Sequence, residues 1–220
     1  MSPSSTESNY FRHLRPEILE RFPRRATRVL EIGCGEGYFG WSLLRNNLAD
    51  QVIGVEPNLQ ACKIAEQHLT AAHCVSVENL SACEEPFSTP FDAIVLNDVL
   101  EHASDPDAVL TKLTGLLRAD GFLLVSLPNV QFHKVVRKLV FQGDWTYTDE
   151  GVLDRTHLRF FTRRSALGLF TRHGLSPVKI EGINAAPLPR WLTLVNLLSF
   201  RRFEDMRYQQ FFIYLEKTQG

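Results

Sequence analysis

The sequence predicts an α/β fold in which a mainly parallel sheet has helices on both faces. Apolar, strand-like runs alternate with segments of helical periodicity between residues 27 and 128. One of these runs ends in a glycine-rich turn, and a later run is followed by acids and a histidine. Strands that alternate with helices form doubly wound parallel sheets. Such sheets bind ligands beyond the carboxyl ends of their strands, which is where we expect a site.

Length and composition indicate one globular domain. The 220 residues are 44% hydrophobic and 22% charged, and the formal net charge is -1. A chain of this length buries one substantial core and has little room for a second. No basic excess supports nucleic-acid binding, so no nucleic acid is expected as a partner. We divide the chain into a polar tail with a cap helix (residues 1–24) and a main domain (residues 25–220).

The cysteines and the amino terminus favour a cytoplasmic protein. Cys34, Cys62, Cys74 and Cys83 form no C-x-x-C pair, and the chain is not cysteine-dense, so reduced thiols are expected. Residues 1–9 are polar and lack the apolar centre of a secretion signal. No apolar run reaches the ~20 residues of a membrane span. We therefore predict no transmembrane segment.

The elements follow in order from the apolar pattern. A cap helix is expected over Tyr10–Phe22, before Pro23. The first strand candidates share an apolar centre and lie at Arg28–Ile32, Val52–Val55, Cys74–Val77, Phe91–Asn97 and Phe122–Leu127. The clearest helix begins at Asp105, an N-cap acid followed by proline, and a turn at Asp120-Gly121 leads into the next strand.

After Pro128 the pattern becomes less regular. Residues 129–165 are aromatic-rich and are predicted to be irregular, as are parts of 183–205. Between and after them we expect a helix over Ser165–His173 ending at Gly174, a strand near Pro177–Glu181 and a last strand over Phe211–Glu216.

The turn after the first strand predicts the type of ligand. It reads Glu31-Ile32-Gly33-Cys34-Gly35-Glu36-Gly37-Tyr38-Phe39, and glycine allows a ligand close to the backbone. Tyr38 stands where the dinucleotide pattern G-x-G-x-x-G needs a glycine, which disfavours an NAD-dependent oxidoreductase. Glu56 ends the second strand, about 20 residues further on, where a carboxylate accepts hydrogen bonds from ribose hydroxyls.

These residues resemble the class I S-adenosylmethionine (SAM) methyltransferases. The resemblance implies a Rossmann-like, seven-stranded sheet whose last strand is antiparallel, and SAM as cofactor. It also implies a set of cofactor-binding residues: Glu31, Gly33, Cys34, Gly35, Gly37, Tyr38, Phe39, Glu56, Pro57, Asn79, Leu80 and Asn97. Asn79 stands where relatives usually have an acid, so the expected contact with the adenine amine is weaker.

The exit of the fourth strand is the predicted reaction centre. Residues 98–102 resemble the D-V-L-E-H element of many bacterial class I methyltransferases, and residues 143–147 and 153–162 resemble one bacterial subgroup. Transfer to a hydroxyl needs alignment and removal of a proton, for which histidine suits neutral pH. We predict His102, His157 and Asp98 as catalytic residues. The alternative for His102 is a structural role at the start of the next helix, and His133 is a further pocket candidate.

A metal site is a second interpretation of the same residues. Asp98, Glu101, His102 and His157 resemble the acid-x-x-Glu-His…His pattern of small-RNA terminal-ribose methyltransferases, and ubiquinone-pathway O-methyltransferases have a related pattern. The resemblance implies a divalent ion, and mixed carboxylate and imidazole ligands suit Mg²⁺, Mn²⁺ or Zn²⁺. The alternative is that Glu101 pairs with Arg155 or Arg159 and binds no metal.

The expected activity is methyl transfer from SAM to a hydroxyl of a small molecule or glycan. An N-methyltransferase and a non-catalytic SAM-binding protein remain alternatives. Four aromatic residues could cover the acceptor or simply pack in the core: Trp145, Tyr147, Phe160 and Phe161. The segment 189–203 mixes apolar and basic residues and could cover the sheet, form a dimer face or touch a membrane, the first two being favoured. We expect a monomer or a homodimer.

Overall fold

Seven strands and seven helices make up the computed structural model, which describes residues 14–218. The strands are β1 Ala26–Ile32, β2 Ala49–Val55, β3 Ala71–His73, β4 Phe91–Asn97, β5 Leu117–Pro128, β6 Leu175–Ala185 and β7 Tyr208–Lys217. The helices are α1 Pro16–Leu19, α2 Tyr38–Arg45, α3 Leu59–His68, α4 Pro106–Leu116, α5 His133–Gln142, α6 Arg163–Arg172 and α7 Arg190–Leu198. Short 3-10 turns occupy Val77–Asn79 and Glu204–Arg207.

The strands form one sheet in the order β3-β2-β1-β4-β5-β7-β6. β1 pairs in parallel with β2 and β4, and the parallel pairs β2–β3 and β4–β5 extend the sheet on either side. β7 is antiparallel to both of its neighbours, β5 and β6. The predicted fold class is confirmed, including the antiparallel last strand. The carboxyl ends of β1, β2, β4, β5 and β6 therefore lie at one edge, together with the beginning of β7.

The core lies on both faces of the sheet. Leu30 and Ile94 belong to one buried cluster, and Val29 and Val95, their chain neighbours, belong to the other. Successive side chains of a strand point to opposite faces, so a sheet covered on both faces needs continuous apolar strands. This arrangement explains why β1 and β4 appear in the sequence as apolar runs without alternation.

The helix predicted at Asp105-Pro106 is confirmed. The Asp105 carboxylate accepts a hydrogen bond of 3.0 Å from the backbone N–H of Ala108, and Pro106 is the first residue of α4. The later helix is also present, over Arg163–Arg172, where Thr162 and Ser165 form a capping box. Of the predicted cap helix, only Pro16–Leu19 is helical in the described part, and residues 10–13 lie outside it.

Three predicted boundaries are wrong. The third strand is Ala71–His73 rather than Cys74–Val77. Val77 instead begins a 3-10 turn, and its carbonyl accepts a hydrogen bond of 3.1 Å from Lys112 Nζ. Asp120-Gly121 is part of β5 instead of a turn, and the pairing register shifts between Phe91 and Ala93 to accommodate it. Residues 129–165, predicted to be irregular, contain helix α5.

The prediction of reduced thiols is wrong for one pair of cysteines. Cys62 on α3 and Cys74, directly after β3, form a disulfide with a Cα–Cα distance of 5.6 Å. The packing of α3 beside β3 brings the two side chains together, although twelve positions separate them in sequence. Cys34 is buried and free, and Cys83 is exposed and free.

In the described part of the chain, no helix is long and apolar enough to cross a membrane.

Candidate active site

The glycine-rich turn joins β1 to α2 at the carboxyl edge of the sheet. Gly33, Gly35 and Gly37 have φ values of 66°, 55° and 82°, in the left-handed region that favours glycine. The backbone N–H groups of Gly33 and Cys34 both donate to the carbonyl of Val55, which ties the turn to the end of β2. The turn is therefore rigid and presents backbone to the space above the sheet.

Glu56 connects this turn to the next loop. Its carboxylate accepts hydrogen bonds of 2.9 Å from the backbone N–H of Gly35 and of 2.9 Å from that of Asn58. Burial raises the pKa of Glu56, and the two backbone hydrogen bonds act against that rise. The side chain is thus fixed beside the glycine turn, and its role in binding ribose stays a prediction.

Two buried groups lie beneath the turn. The pKa of Glu31 is raised to about 8. Burial is the main cause, a hydrogen bond from the backbone of Gly40 acts against the rise, and the charge of Glu56 adds to it. Its Oε2 atom has no hydrogen-bond partner among the described residues. Burial also raises the pKa of the Cys34 thiol far above its ordinary value, so this cysteine is not a nucleophile.

A cavity of about 530 Å³ opens over these groups. This volume is typical of a small-molecule or cofactor site. The predicted site residues on its wall are Glu31, Gly33, Cys34, Gly35, Phe39, Glu56, Pro57, Asn97, Asp98 and His102. The side-chain oxygen and nitrogen of Asn97 are buried without a partner among the described residues, so a ligand could satisfy both.

Gly37 and Tyr38 do not line the cavity. A Cβ atom on Gly37 would lie 3.1 Å from the Cα of Ala65, so this glycine allows α2 to approach α3. The Tyr38 ring instead packs on His68, with ring centroids 4.7 Å apart. Both residues shape the turn through packing.

Asn79 and Leu80 also lie outside the cavity wall, which is formed at this place by Ser76, Val77 and Glu78. Lys112 on α4 determines the path of this segment, since its Nζ atom donates to the carbonyls of Val77 and Leu80 at 3.1 and 3.0 Å. This chain has Asn79 where relatives usually have an acid, but the preceding residue, Glu78, is an acid that lines the cavity. Sequence reasoning missed it by one position because it placed the third strand too late.

Asp98 is surrounded by donors at the exit of β4. Its carboxylate forms an ion pair with Arg15 and accepts hydrogen bonds from Ser126 at 2.8 Å and from Gln210 at 2.9 Å. Arg15 and Asp98 both line the cavity. Sequence reasoning missed Arg15, because this residue directly precedes the short helix α1, whose distance from β4 in sequence conceals the contact.

Glu101, His102 and His157 form the second group at this exit. One ligand atom of each lies within 4.8 Å of the others, and the two imidazole centroids are 4.8 Å apart. The Glu101 carbonyl accepts hydrogen bonds from the backbone N–H of Leu158 and Arg159 at 2.8 and 3.0 Å, which brings residues 157–159 to the exit of β4. Asp98 does not join this group, because its oxygens already face Arg15, Ser126 and Gln210.

Burial is the main cause of the shifted pKa values of Glu101 and His102. Burial raises the pKa of Glu101 well above its ordinary value, and the charge of Asp98 adds to this. Both carboxylate oxygens of Glu101 lack a hydrogen-bond partner among the described residues. Burial, followed by the neighbouring His157, lowers the pKa of His102. His102 is therefore largely neutral at pH 7.

The remaining predicted residues lie outside the cavity, although the ring centroids of Phe160 and His157 are 6.5 Å apart. Trp145 and Tyr147 pack on Phe160, at centroid distances of 5.3 and 6.3 Å, while Phe161 is buried in the main core. His133 is buried at the beginning of α5 and lines a separate, smaller cavity beside α7. These residues do not line the cavity over the glycine turn.

Comparison with known proteins identifies the family. A model described as the methyltransferase domain matches residues 6–180. The chain belongs to this methyltransferase family. The ubiquinone biosynthesis O-methyltransferase of Chromobacterium violaceum is 30% identical over 207 residues, or 87% of this chain and 85% of that protein. Its counterpart in Xylella fastidiosa strain 9a5c is 30% identical over 186 residues, or 77% and 69%.

Solved structures agree with the methyltransferase fold. A SAM-dependent methyltransferase from Archaeoglobus fulgidus has a TM-score of 0.62 at 19% identity, covering 96% of this chain and 94% of that one. The N-methyltransferase NodS from Bradyrhizobium japonicum WM9, bound to S-adenosylhomocysteine, has a TM-score of 0.61 at 14% identity, covering 94% and 88%. The family match and these relatives show that the chain is a SAM-dependent methyltransferase.

Proposed function

We propose that this methyltransferase transfers the methyl group of SAM to a hydroxyl of a small molecule or glycan. The observation that supports this proposal is His102, a neutral imidazole on the cavity wall beside the glycine turn. Two relatives that match most of the chain are named as O-methyltransferases, which favours oxygen over nitrogen as the acceptor atom.

We propose that the cofactor lies along the glycine turn. Gly33 and Gly35 leave room for its methionine part, and the Glu56 carboxylate accepts hydrogen bonds from the ribose. The unpartnered amide of Asn97 gains a polar partner when the cofactor binds. Ser76, Val77 and Glu78 border the adenine end. The sulfonium is its own leaving group, so the protein needs mainly to align the three reacting atoms.

His102 would remove the proton of the acceptor hydroxyl. Its Nδ1 lies 3.2 Å from the Thr156 carbonyl, to which it donates, and Nε2 consequently has the free lone pair. A lowered pKa keeps the imidazole neutral until the pH falls below its ordinary value of 6.5. The rate is therefore expected to be independent of this group around neutral pH and to fall in acid.

The same residues fit a divalent metal ion. Glu101 is buried with two unpartnered oxygens, and Nδ1 of His157 lies 3.1 Å from the Val152 carbonyl, which leaves Nε2 of that ring free as well. Arg155 pairs with Asp149, so it does not neutralise Glu101. As the alternative to a base at His102, we propose Glu101, His102 and His157 as the ligands of this ion, because Nε2 of His102 cannot bind a metal and accept a proton at the same time. A bound ion would supply Lewis-acid charge to the acceptor oxygen.

Transfer of a labelled methyl group tests the reaction. Labelled SAM is incubated with a panel of phenols, catechols, aliphatic alcohols, oligosaccharides and amines. Label in a hydroxyl compound supports the proposal. Label only in amines would identify an N-methyltransferase, and no transfer despite tight S-adenosylhomocysteine binding would favour a non-catalytic SAM-binding protein.

Substitution of His102 tests the mechanism. We expect His102→Ala to keep the affinity for S-adenosylhomocysteine within about threefold and to lower kcat by roughly a hundredfold to ten-thousandfold, the usual range for general acid–base catalysis. The control is His173→Ala, which changes an imidazole paired with Asp107 away from the cavity. Unchanged turnover of His102→Ala would exclude His102 from the mechanism.

Metal binding has its own test. The protein is stripped with a chelator, loaded with Co²⁺ and followed by absorption, and the metal content is measured directly. Glu101→Gln should lose the Co²⁺ spectrum, and Glu20→Gln, at an exposed position outside both candidate metal groups, should retain it. Full activity after exhaustive chelation, with no bound metal, would contradict the metal site while leaving His102 as the base.

The cytoplasmic location and the monomeric or dimeric state remain predictions of the sequence. Cell fractionation and sedimentation velocity would test them.

A further inference from the structure

Helix α7 has its apolar stripe on the outside of the protein. Trp191, Leu194, Val195 and Leu198 follow the i, i+3, i+4, i+7 spacing of one helix face, and all four are exposed. The buried side of the helix contains Leu192 and Asn196. The sequence favoured a helix that covers the sheet or forms a dimer face. Most apolar side chains of the helix are exposed in the single chain, so they do not pack on the sheet, and the dimer face stays a prediction.

Neighbouring residues extend this surface. Phe200, just after α7, has a left-handed backbone (φ 55°) and is 97% exposed. On α5, Val140 and Phe141 are 66% and 68% exposed, and the Phe141 ring contacts that of Trp191 at a centroid distance of 6.0 Å. We call the exposed faces of α5, α7 and residues 199–203 the outer surface. Exposed apolar surfaces of this extent mark sites of interaction with other molecules.

The outer surface is positively charged. Residues 129–143 and 182–203 contain no aspartate or glutamate, although the whole chain has a net charge of -1. The exposed basic residues in these segments are Lys134, Arg137, Lys138, Arg190, Arg201 and Arg202. Apolar side chains bordered by lysine and arginine are typical of helices that lie in the interface of an anionic bilayer.

The outer surface begins at the same edge of the sheet as the candidate active site. α5 begins after β5 ends at Pro128, and α7 lies between the end of β6 and the beginning of β7. The register pairs Pro128 with Gln210 and Ala185 with Tyr208, so both helices leave from the carboxyl edge of the sheet. The cavity over the glycine turn opens at that same edge.

We propose that the outer surface docks on an anionic lipid bilayer. Trp191, Leu194 and Leu198 enter the headgroup region, and Arg201 and Arg202 contact lipid phosphates. A second copy of the chain fits this surface less well, because a symmetric dimer would bring the basic residues of both copies together without acidic partners. The proposal does not depend on the nature of the acceptor.

Vesicle sedimentation tests the docking. The full chain is mixed with vesicles of phosphatidylcholine alone or with added phosphatidylglycerol, at low and high salt. We expect binding only to the anionic vesicles, and we expect salt to weaken it. Vesicle binding should also shift Trp191 fluorescence to shorter wavelength, and Trp191→Phe should remove most of that shift. Absence of binding to anionic vesicles, or equal binding to both compositions, would overturn the proposal.

Matched variants separate docking from loss of folding. Leu194→Glu/Leu198→Glu and Arg201→Glu/Arg202→Glu should each weaken vesicle binding by about tenfold or more. The controls are Val178→Glu, an exposed apolar position on β6, and Lys63→Glu, an exposed basic position on α3, which should bind vesicles as the unchanged protein does. All variants must retain the melting temperature and the affinity for S-adenosylhomocysteine within error.

Sedimentation velocity without lipid tests whether a second copy of the chain binds the outer surface instead of a bilayer. The unchanged protein should sediment as a monomer at concentrations that saturate vesicles. A dimer that Leu194→Glu/Leu198→Glu dissociates, together with no binding to anionic vesicles, would assign the outer surface to self-association and overturn the proposal.

Discussion

At the scale of single residues, Glu56 joins two loops at the carboxyl edge. Each of its carboxylate oxygens accepts one backbone N–H hydrogen bond, from Gly35 and from Asn58. Hydrogen bonds to an ionised group are stronger than neutral ones. The geometry of the glycine turn therefore depends on the charge of this side chain as well as on its shape.

We predict that Glu56→Gln weakens S-adenosylhomocysteine binding by about tenfold to a hundredfold, as expected for the loss of about 1.5–3 kcal/mol from a hydrogen bond to a charged group. The glutamine NH₂ group would face a backbone N–H where the carboxylate now accepts, so one donor is left without a partner. Calorimetric titration measures the affinity, with the exposed Glu66→Gln as the matched control. Equal affinities would remove Glu56 from cofactor binding.

At the scale of elements, α4 supports the cavity through its own N-terminus and through Lys112. Asp105 caps the first turn of the helix, and Lys112 fixes the segment that borders the cavity. We predict that Asp105→Ala lowers the free energy of unfolding by about 0.5–2 kcal/mol, the usual cost of losing an N-cap. Urea denaturation measures the change. Asp120→Ala, at an exposed acid outside any helix, should leave stability nearly unchanged.

The disulfide joins α3 to the segment after β3. It closes a loop with a sequence separation of 12, and constraining a loop of this length in the unfolded chain stabilises the folded state by about 3 kcal/mol. We predict that Cys74→Ser loses about this amount under oxidising conditions. Dithiothreitol should destabilise the unchanged protein similarly and leave Cys74→Ser unaffected. Cys83→Ser is the control, and an equal loss from that variant would contradict the assignment.

The elements show what the sequence could predict. β1, β4 and the N-terminus of α4 follow from local signals: apolar runs and an N-cap acid before proline. β3 was misplaced because three residues at a sheet edge leave little apolar pattern. α5 was missed because Leu139, Val140 and Phe141 are exposed beside its basic residues, so its apolar residues do not mark a single buried face.

The candidate site was predictable to a similar extent. The glycine turn, Glu56 and the residues after β4 follow from spacing, since each directly follows a strand. Glu78 was missed because the third strand was placed too late. Arg15 and Lys112 depend on contacts between segments distant in sequence, and no local pattern indicates them. The approach of His157 to His102 likewise depends on backbone hydrogen bonds between residues 101 and 158–159.

At the scale of the whole molecule, buried acids beneath the cavity connect stability to pH. Burial raises the pKa of Glu31 to about 8 and raises the pKa values of Glu56 and Glu101 in the same direction. The folded protein therefore binds protons that the unfolded chain has released. Its free energy of unfolding falls as the pH rises through the window from the ordinary value of 4.5 to about 8.

We predict that Glu31→Gln reduces this dependence. The amide keeps the shape of the protonated acid and has no charge to bury, so the variant gains stability relative to the unchanged protein as the pH rises. The gain has an upper limit of about 1.4 kcal/mol per pH unit, because the one carboxyl that the substitution removes binds at most one proton. Urea denaturation across the window measures both curves, with the exposed Glu20→Gln as control. Parallel curves for Glu31→Gln and the unchanged protein would show that Glu31 is ionised in the folded state throughout, and that the glycine turn tolerates a buried charge beneath it.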